Sequence, residues 1–172
     1  MALVVAPTTE APTVADLRAH LNNTKASDEA ELTVKLAAAR AVVEQVIGPI
    51  TLRVFTERVE GVVLRRRPVV SVSTVNGAAP STLVRLDLDA GLIYGLPYGT
   101  PMVTYTAGWG DRPDIIEAVL IVAARLWETQ RSAATGPLGV DVDGNPISTG
   151  GLPLLPPRAQ ALLEPYAGFP VA

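Results

Sequence analysis

The segment from Pro113 to Ser132 constrains the fold of this chain more than any other. Ile115, Ile116, Val119, Leu120, Ile121, Val122, Ala123, Leu126 and Trp127 recur at helical spacing, yet they cover a wider arc than the single apolar stripe of a surface helix. Loop residues Gly108-Trp109-Gly110-Asp111-Arg112 precede it, and Pro113 suits the first helical position. A helix apolar on so many sides is either a central core helix or one shared between subunits.

Upstream of it the hydrophobic period changes twice. Thr13 and Asp16 make a capping-box-like opening for a short helix over 14–21, after a loose arm, 1–12, containing Pro7 and Pro12. Asp28 and Glu31 open a second helix over 28–47, with Leu32, Leu36, Ala39, Val43, Val46 and Ile47 on one face and Gly48-Pro49 as its stop. From Thr51 to Thr106 the period becomes two and β-branched residues dominate, as in Val62-Val63-Leu64 and Val69 to Val75. Asn76-Gly77 and Asp89-Ala90-Gly91 read as turns, and Leu83, Val84, Leu86 and Leu88 as a returning strand. The expected class is therefore α+β. Two N-terminal helices and the long apolar helix form a helical core, with an antiparallel hairpin or meander inserted at 51–106. This single domain spans 13–133.

Beyond it, 134–157 is rich in Gly, Pro, Ser and Asp and reads as an extended linker. It leads to a short helix around Pro157 to Tyr166 and a final Gly168-Phe169-Pro170-Val171-Ala172. These last pieces are expected to need a partner surface for their leucines and aromatics. Composition points the same way, since 48% of residues are hydrophobic and only 18% charged, against a usual quarter charged. Surplus apolar surface is ordinarily buried against other subunits.

Several function classes find no support in the residues. Cysteine is absent, which excludes a disulfide framework, a thiolate nucleophile and cysteine-ligated metal. His20 is the single histidine and sits on a short amphipathic helix, with no nucleophile-elbow motif in the chain. Asp141-Val142-Asp143-Gly144-Asn145 resembles a calcium loop superficially, but its glycine comes one position early and Leu152 stands where a glutamate ligand belongs. Asp87 and Asp89 fit a hairpin edge and turn better than an acid–base pair. No glycine-rich phosphate loop is present, so no cofactor or metal is expected. The start lacks the basic residues and apolar run of a signal peptide, and no segment is apolar for long enough to span a bilayer. A net charge of −3 gives the chain no general grip on nucleic acid. Arg65-Arg66-Arg67-Pro68 is the densest charge run. Two readings of it stand: contact with phosphate or with an acidic protein surface, or a solvated edge strand guarded by charge and proline.

The order of these features matches a known pattern. The helix from Leu32 to Gly48, the strand Pro68-Val69-Val70-Ser71-Val72, the block Val103-Thr104-Tyr105-Thr106-Ala107-Gly108-Trp109 before Pro113, the helix end Leu126-Trp127-Glu128-Thr129-Gln130-Arg131 and the ending Leu162-Leu163-Glu164-Pro165-Tyr166 are all part of it. Taken together, they resemble the head-to-tail connector (adaptor) proteins of long-tailed bacteriophages. The likeness covers most of the chain from Asp28 onward, and the linker 134–157 is where it departs from the simplest members.

The resemblance implies a structural, non-enzymatic subunit of the virion neck, assembled in the host cytoplasm. About twelve copies would form a ring beneath the portal and continue the DNA channel towards the tail. Its partners would be other copies of itself, the portal protein, the next neck protein (a stopper or tail terminator) and double-stranded DNA passing through without sequence-specific contact. No membrane is involved. The C-terminal segment would dock on the portal through Leu152, Leu154, Leu155, Arg158, Leu162, Leu163, Tyr166 and Phe169. Arg65, Arg66, Arg67, Trp109 and Trp127 are the candidates for subunit–subunit or charge contacts. An acidic pI of about 5.1 suits a lumen through which DNA slides. The alternative is another neck or tail-end component, a stopper or tail terminator, told apart by its partner.

Overall fold

A computed structural model of the chain describes residues 12–22, 25–87, 90–135 and 155–167, with backbone alone at 26 and 131–135. The expected arm 1–12, all but its last residue, and most of the linker 134–157 lie outside the described residues. Among the described residues the architecture is α+β, with four α-helices and antiparallel sheets. The described residues fall into two compact units. One is helical (the described residues within 12–43 and 113–164) and one carries the sheets (those within 44–112 and 165–167).

In the helical unit, α1 (Val14–His20) opens with a reciprocal capping box. The Asp16 amide donates to Thr13 Oγ1 at 3.2 Å, and the Thr13 amide donates to Asp16 Oδ2 at 2.7 Å. The Thr13 hydroxyl, which donates to Asp16 Oδ2 at 2.7 Å, and then the Thr13 amide hold the Asp16 carboxyl below the usual carboxylate range. α2 (Glu29–Ile47), whose last residues from Glu44 onward belong to the sheet unit, buries Leu32, Leu36, Ala39, Val43 and Ile47, one stripe at three- and four-residue spacing. It stops at Gly48, whose φ of 85° is open to glycine and whose missing Cβ would otherwise stand 2.3 Å from the Arg67 carbonyl oxygen.

α3 (Pro113–Thr135) buries Ile115, Ala118, Val119, Val122 and Ala123 completely, and Leu120 and Trp127 nearly so. Ile116, Ile121 and Leu126 stay half-buried. The fully buried set is thus a single stripe, narrower than the arc of apolar residues in the sequence, and Asp114, Glu117, Arg125 and Glu128 mark its polar side. α1 and α4 (Pro157–Leu163) both pack along α3. Ala159 and Leu163 of α4 are buried there. Contrary to expectation, the C-terminal helix finds its partner surface in its own chain.

In the sheet unit, β1 (Arg53–Arg58), β2 (Val69–Val75) and β5 (Met102–Ala107) form an antiparallel sheet in the order β1-β5-β2. β3 (Arg85–Asp87) and β4 (Leu92–Tyr94) form a separate hairpin. This is a correction to the expected meander. The Asn76-Gly77 turn does form, with positive φ at both residues and hydrogen bonds between Val75 and Ala78, but no strand returns from it along β2. The following residues, Ala78-Ala79-Pro80-Ser81-Thr82, offer no apolar alternation and lack one backbone donor. β5 alternates strictly, with Val103, Tyr105 and Ala107 buried, so it serves both neighbours and takes the centre. Val62-Val63-Leu64 makes only an isolated bridge, Val63 to Leu92. Its flanking hydrogen bonds, Leu64 amide to Gly91 carbonyl and Ile93 amide to Val62 carbonyl, lay this stretch beside β4. Leu64 and Ile93 then share one core with Phe55, Val59, Val69, Val75, Val103 and Tyr105.

Candidate functional site

The arginine run lies in a loop between Leu64 and Val69, not on an edge strand, so the solvated-edge reading fails on geometry. Its backbone is tied down from below. Glu57 Oε1 accepts both the Arg65 amide and the Tyr105 hydroxyl at 2.9 Å, and the Tyr105 oxygen accepts the Arg66 amide at 3.1 Å. Burial pushes the Tyr105 phenol well above its ordinary range; the nearby Glu57 charge adds to this, and the Arg66 amide opposes it. The Arg67–Pro68 peptide bond is cis.

The three side chains then diverge. Arg67 is half-buried, lies against Gly91 where a Cβ would stand 2.3 Å from its Cδ, and donates to the Ala90 carbonyl at 3.3 Å. Arg65 and Arg66 are exposed, with the Arg66 guanidinium 6.0 Å from the Phe55 ring centroid. One arginine thus anchors the hairpin turn, and two project outward.

Sequence reasoning passed over Glu57. Its signal was present, because Phe55, Glu57 and Val59 share the inward phase of β1 and its approach, and an acid in that phase requires a donor.

The predicted docking residues at the C-terminus divide. Leu152, Leu154 and Phe169 lie outside the described residues. Leu163 is 1% exposed and belongs to the helical interior, so it is corrected from a docking residue to a packing residue. Leu155 and Leu162 are half-buried, and Arg158 is exposed but ion-paired to Glu117 at 3.2 Å. Glu117 also stands 4.0 Å from His20 Nδ1.

Tyr166 meets Trp109 edge-on, with ring centroids 4.7 Å apart at 73°. Trp109 in turn donates its indole N–H to the Ile47 carbonyl at 2.8 Å, satisfying a carbonyl at the open end of α2. Trp127, proposed as a subunit contact, is buried on α3. Both tryptophans therefore serve their own chain.

Other apolar side chains are exposed. Leu52, Val62, Val63, Val70, Leu83, Leu86, Tyr94, Tyr98 and Met102 are all exposed on the sheet unit, and Tyr98 is fully so. In the helical unit Val34 is exposed. Asp87 accepts the Ala90 amide at 3.0 Å, the expected turn role. Among the described residues no group of three or more His, Asp or Glu is placed to hold a metal, and no helix is long and apolar enough to cross a membrane. Compared with known proteins, the chain matches no family model and no curated sequence.

Proposed function

We propose that the chain is a structural subunit of a bacteriophage neck, an adaptor that assembles as a ring of about twelve copies beneath the portal. It carries the DNA channel on towards the tail and catalyses no reaction. The resemblance in motif order supplies the role. The observation that carries assembly is the exposed apolar set on the sheet unit. Val62, Val63, Val70, Leu83, Leu86, Tyr94, Tyr98 and Met102 are all exposed there, and aromatic and methionine side chains are favoured at interface cores. Cyclic rings use two complementary patches per subunit, and these exposed side chains are the candidates for them.

This shifts the ring contact away from Trp109 and Trp127, whose side chains are engaged within the chain. On the same reading the portal is gripped by the exposed and half-buried C-terminal residues, Leu155, Arg158, Leu162 and Tyr166, together with the segments on either side.

Native mass spectrometry of the purified chain, alone and mixed with portal, tests the reading. The expected result is a discrete large homo-oligomer, in isolation or on the portal. A chain that stays monomeric at high concentration and ignores the portal would falsify it. Binding to a tail tube instead of a portal would assign it as a tail terminator.

A further inference from the structure

Beside the arginine loop, the sheet unit opens a cleft of about 350 Å³. Its apolar wall is the Phe55 ring and Met102, the latter 44% exposed. Arg58, Arg65 and Arg66 stand around it, all three exposed, and among the described residues no ion pair joins any of them to a carboxylate. Of the two acids in the wall, Glu57 is engaged by the Tyr105 hydroxyl and the Arg65 amide. Glu60 is left as the exposed one. Three unmatched guanidinium groups therefore face one free carboxylate, on a chain whose net charge is −3. Because the backbone at Arg65 and Arg66 is already fixed, less freedom is lost when their side chains are engaged.

We propose that this cleft is a binding site for an acidic peptide segment with apolar flanking residues, presented by a partner protein. Its carboxylates pair with Arg58, Arg65 and Arg66, where the guanidinium fork matches carboxylate geometry. An adjoining apolar side chain rests on Phe55 and Met102. The volume lies at the small end of ligand-sized sites and suits two or three side chains. A peptide brings few charges together with apolar atoms for the wall. A DNA duplex brings a rod of phosphates and nothing for Phe55 and Met102, and it meets Glu57, Glu60 and an acidic chain. The site does not depend on ring assembly, so it goes beyond the neck reading.

The test is an NMR titration of the full-length, isotope-labelled chain with three probes: a blocked peptide of alternating glutamate and leucine, its glutamine counterpart, and a short DNA duplex. Shift changes are expected at Phe55, Arg65, Arg66 and Met102 with the glutamate peptide. The glutamine peptide should bind about tenfold more weakly, and the double variant Arg58→Ala/Arg66→Ala should weaken the glutamate peptide by about fivefold or more. Arg66→Gln, which keeps length without charge, serves if the alanine variant loses its native spectrum. Equal binding of both peptides, unchanged affinity in the variants, no response at millimolar peptide, or tighter binding of the duplex at the same residues each overturns the proposal. A negative result leaves the mass of the assembled complex, and hence the ring reading, untouched.

Discussion

At the scale of single residues, Tyr105 does the most. Its hydroxyl joins β5 to Glu57 on β1 and to the backbone of the arginine loop. Tyr105→Phe keeps the ring packing but takes the acceptor from the Arg66 amide and leaves Glu57 with the Arg65 amide alone, so a loss of about 1–3 kcal/mol is expected in chemical denaturation. The Glu57→Gln and Tyr105→Phe effects should be clearly less than additive, because they break one network. The same phenol sets an alkaline limit. The folded chain holds Tyr105 neutral while the unfolded chain ionises it near pH 10, so its contribution is complete below about pH 10 and shrinks as pH rises further. A melting temperature that falls no faster above that pH in wild type than in Tyr105→Phe would refute this. Glycines divide just as sharply. Gly48→Ala meets both a positive φ and the Arg67 carbonyl, whereas Gly61→Ala meets positive φ with open space around it. The first should therefore be the more destabilising on thermal melting, by more than about 1 kcal/mol.

At the scale of elements, α4 changes the meaning of the C-terminus. Leu163→Ala should cost about 2–4 kcal/mol, as a buried leucine does when truncated, and urea denaturation would measure it. Removing everything after Gly136 should likewise lower the stability of the helical unit, because α3 loses the helix that covers part of it. A truncated chain as stable as the full one would show that α4 contributes nothing to packing. The first three helices were legible because their stripes, caps and stops are local. Thr13 with Asp16 and the Gly48 stop could each be read within a few residues. The order of the strands was not, since β5 pairs with strands far away in sequence, and alternation tells which face is buried but not which neighbour is chosen. The same blindness hid the site. The arginine run was visible, whereas Glu57 and Tyr105 reach it only once the sheet has formed. Leu163 shows the converse error, where a short apolar helix after a long linker looked unsupported because its support lies on α3.

At the scale of the whole molecule, charge and assembly meet. If the exposed apolar surface of the sheet unit drives association, Tyr98→Asp with Leu83→Asp should dissociate the oligomer in native mass spectrometry while leaving the circular dichroism spectrum intact, since both side chains are exposed. An oligomer that survives the pair would move the interface elsewhere. The central place of β5 also bears on how the chain comes to fold. β1 and β2 are synthesised well before the strand that joins them, so neither can complete a sheet until residues near Ala107 have emerged. Pairing across so many intervening residues carries a loop-closure cost, and chains rich in such non-local pairings fold more slowly. If the exposed apolar side chains of this unit do meet a second copy, the sheet that holds them in place exists only after β5 has joined it, so association would have to follow synthesis of that strand.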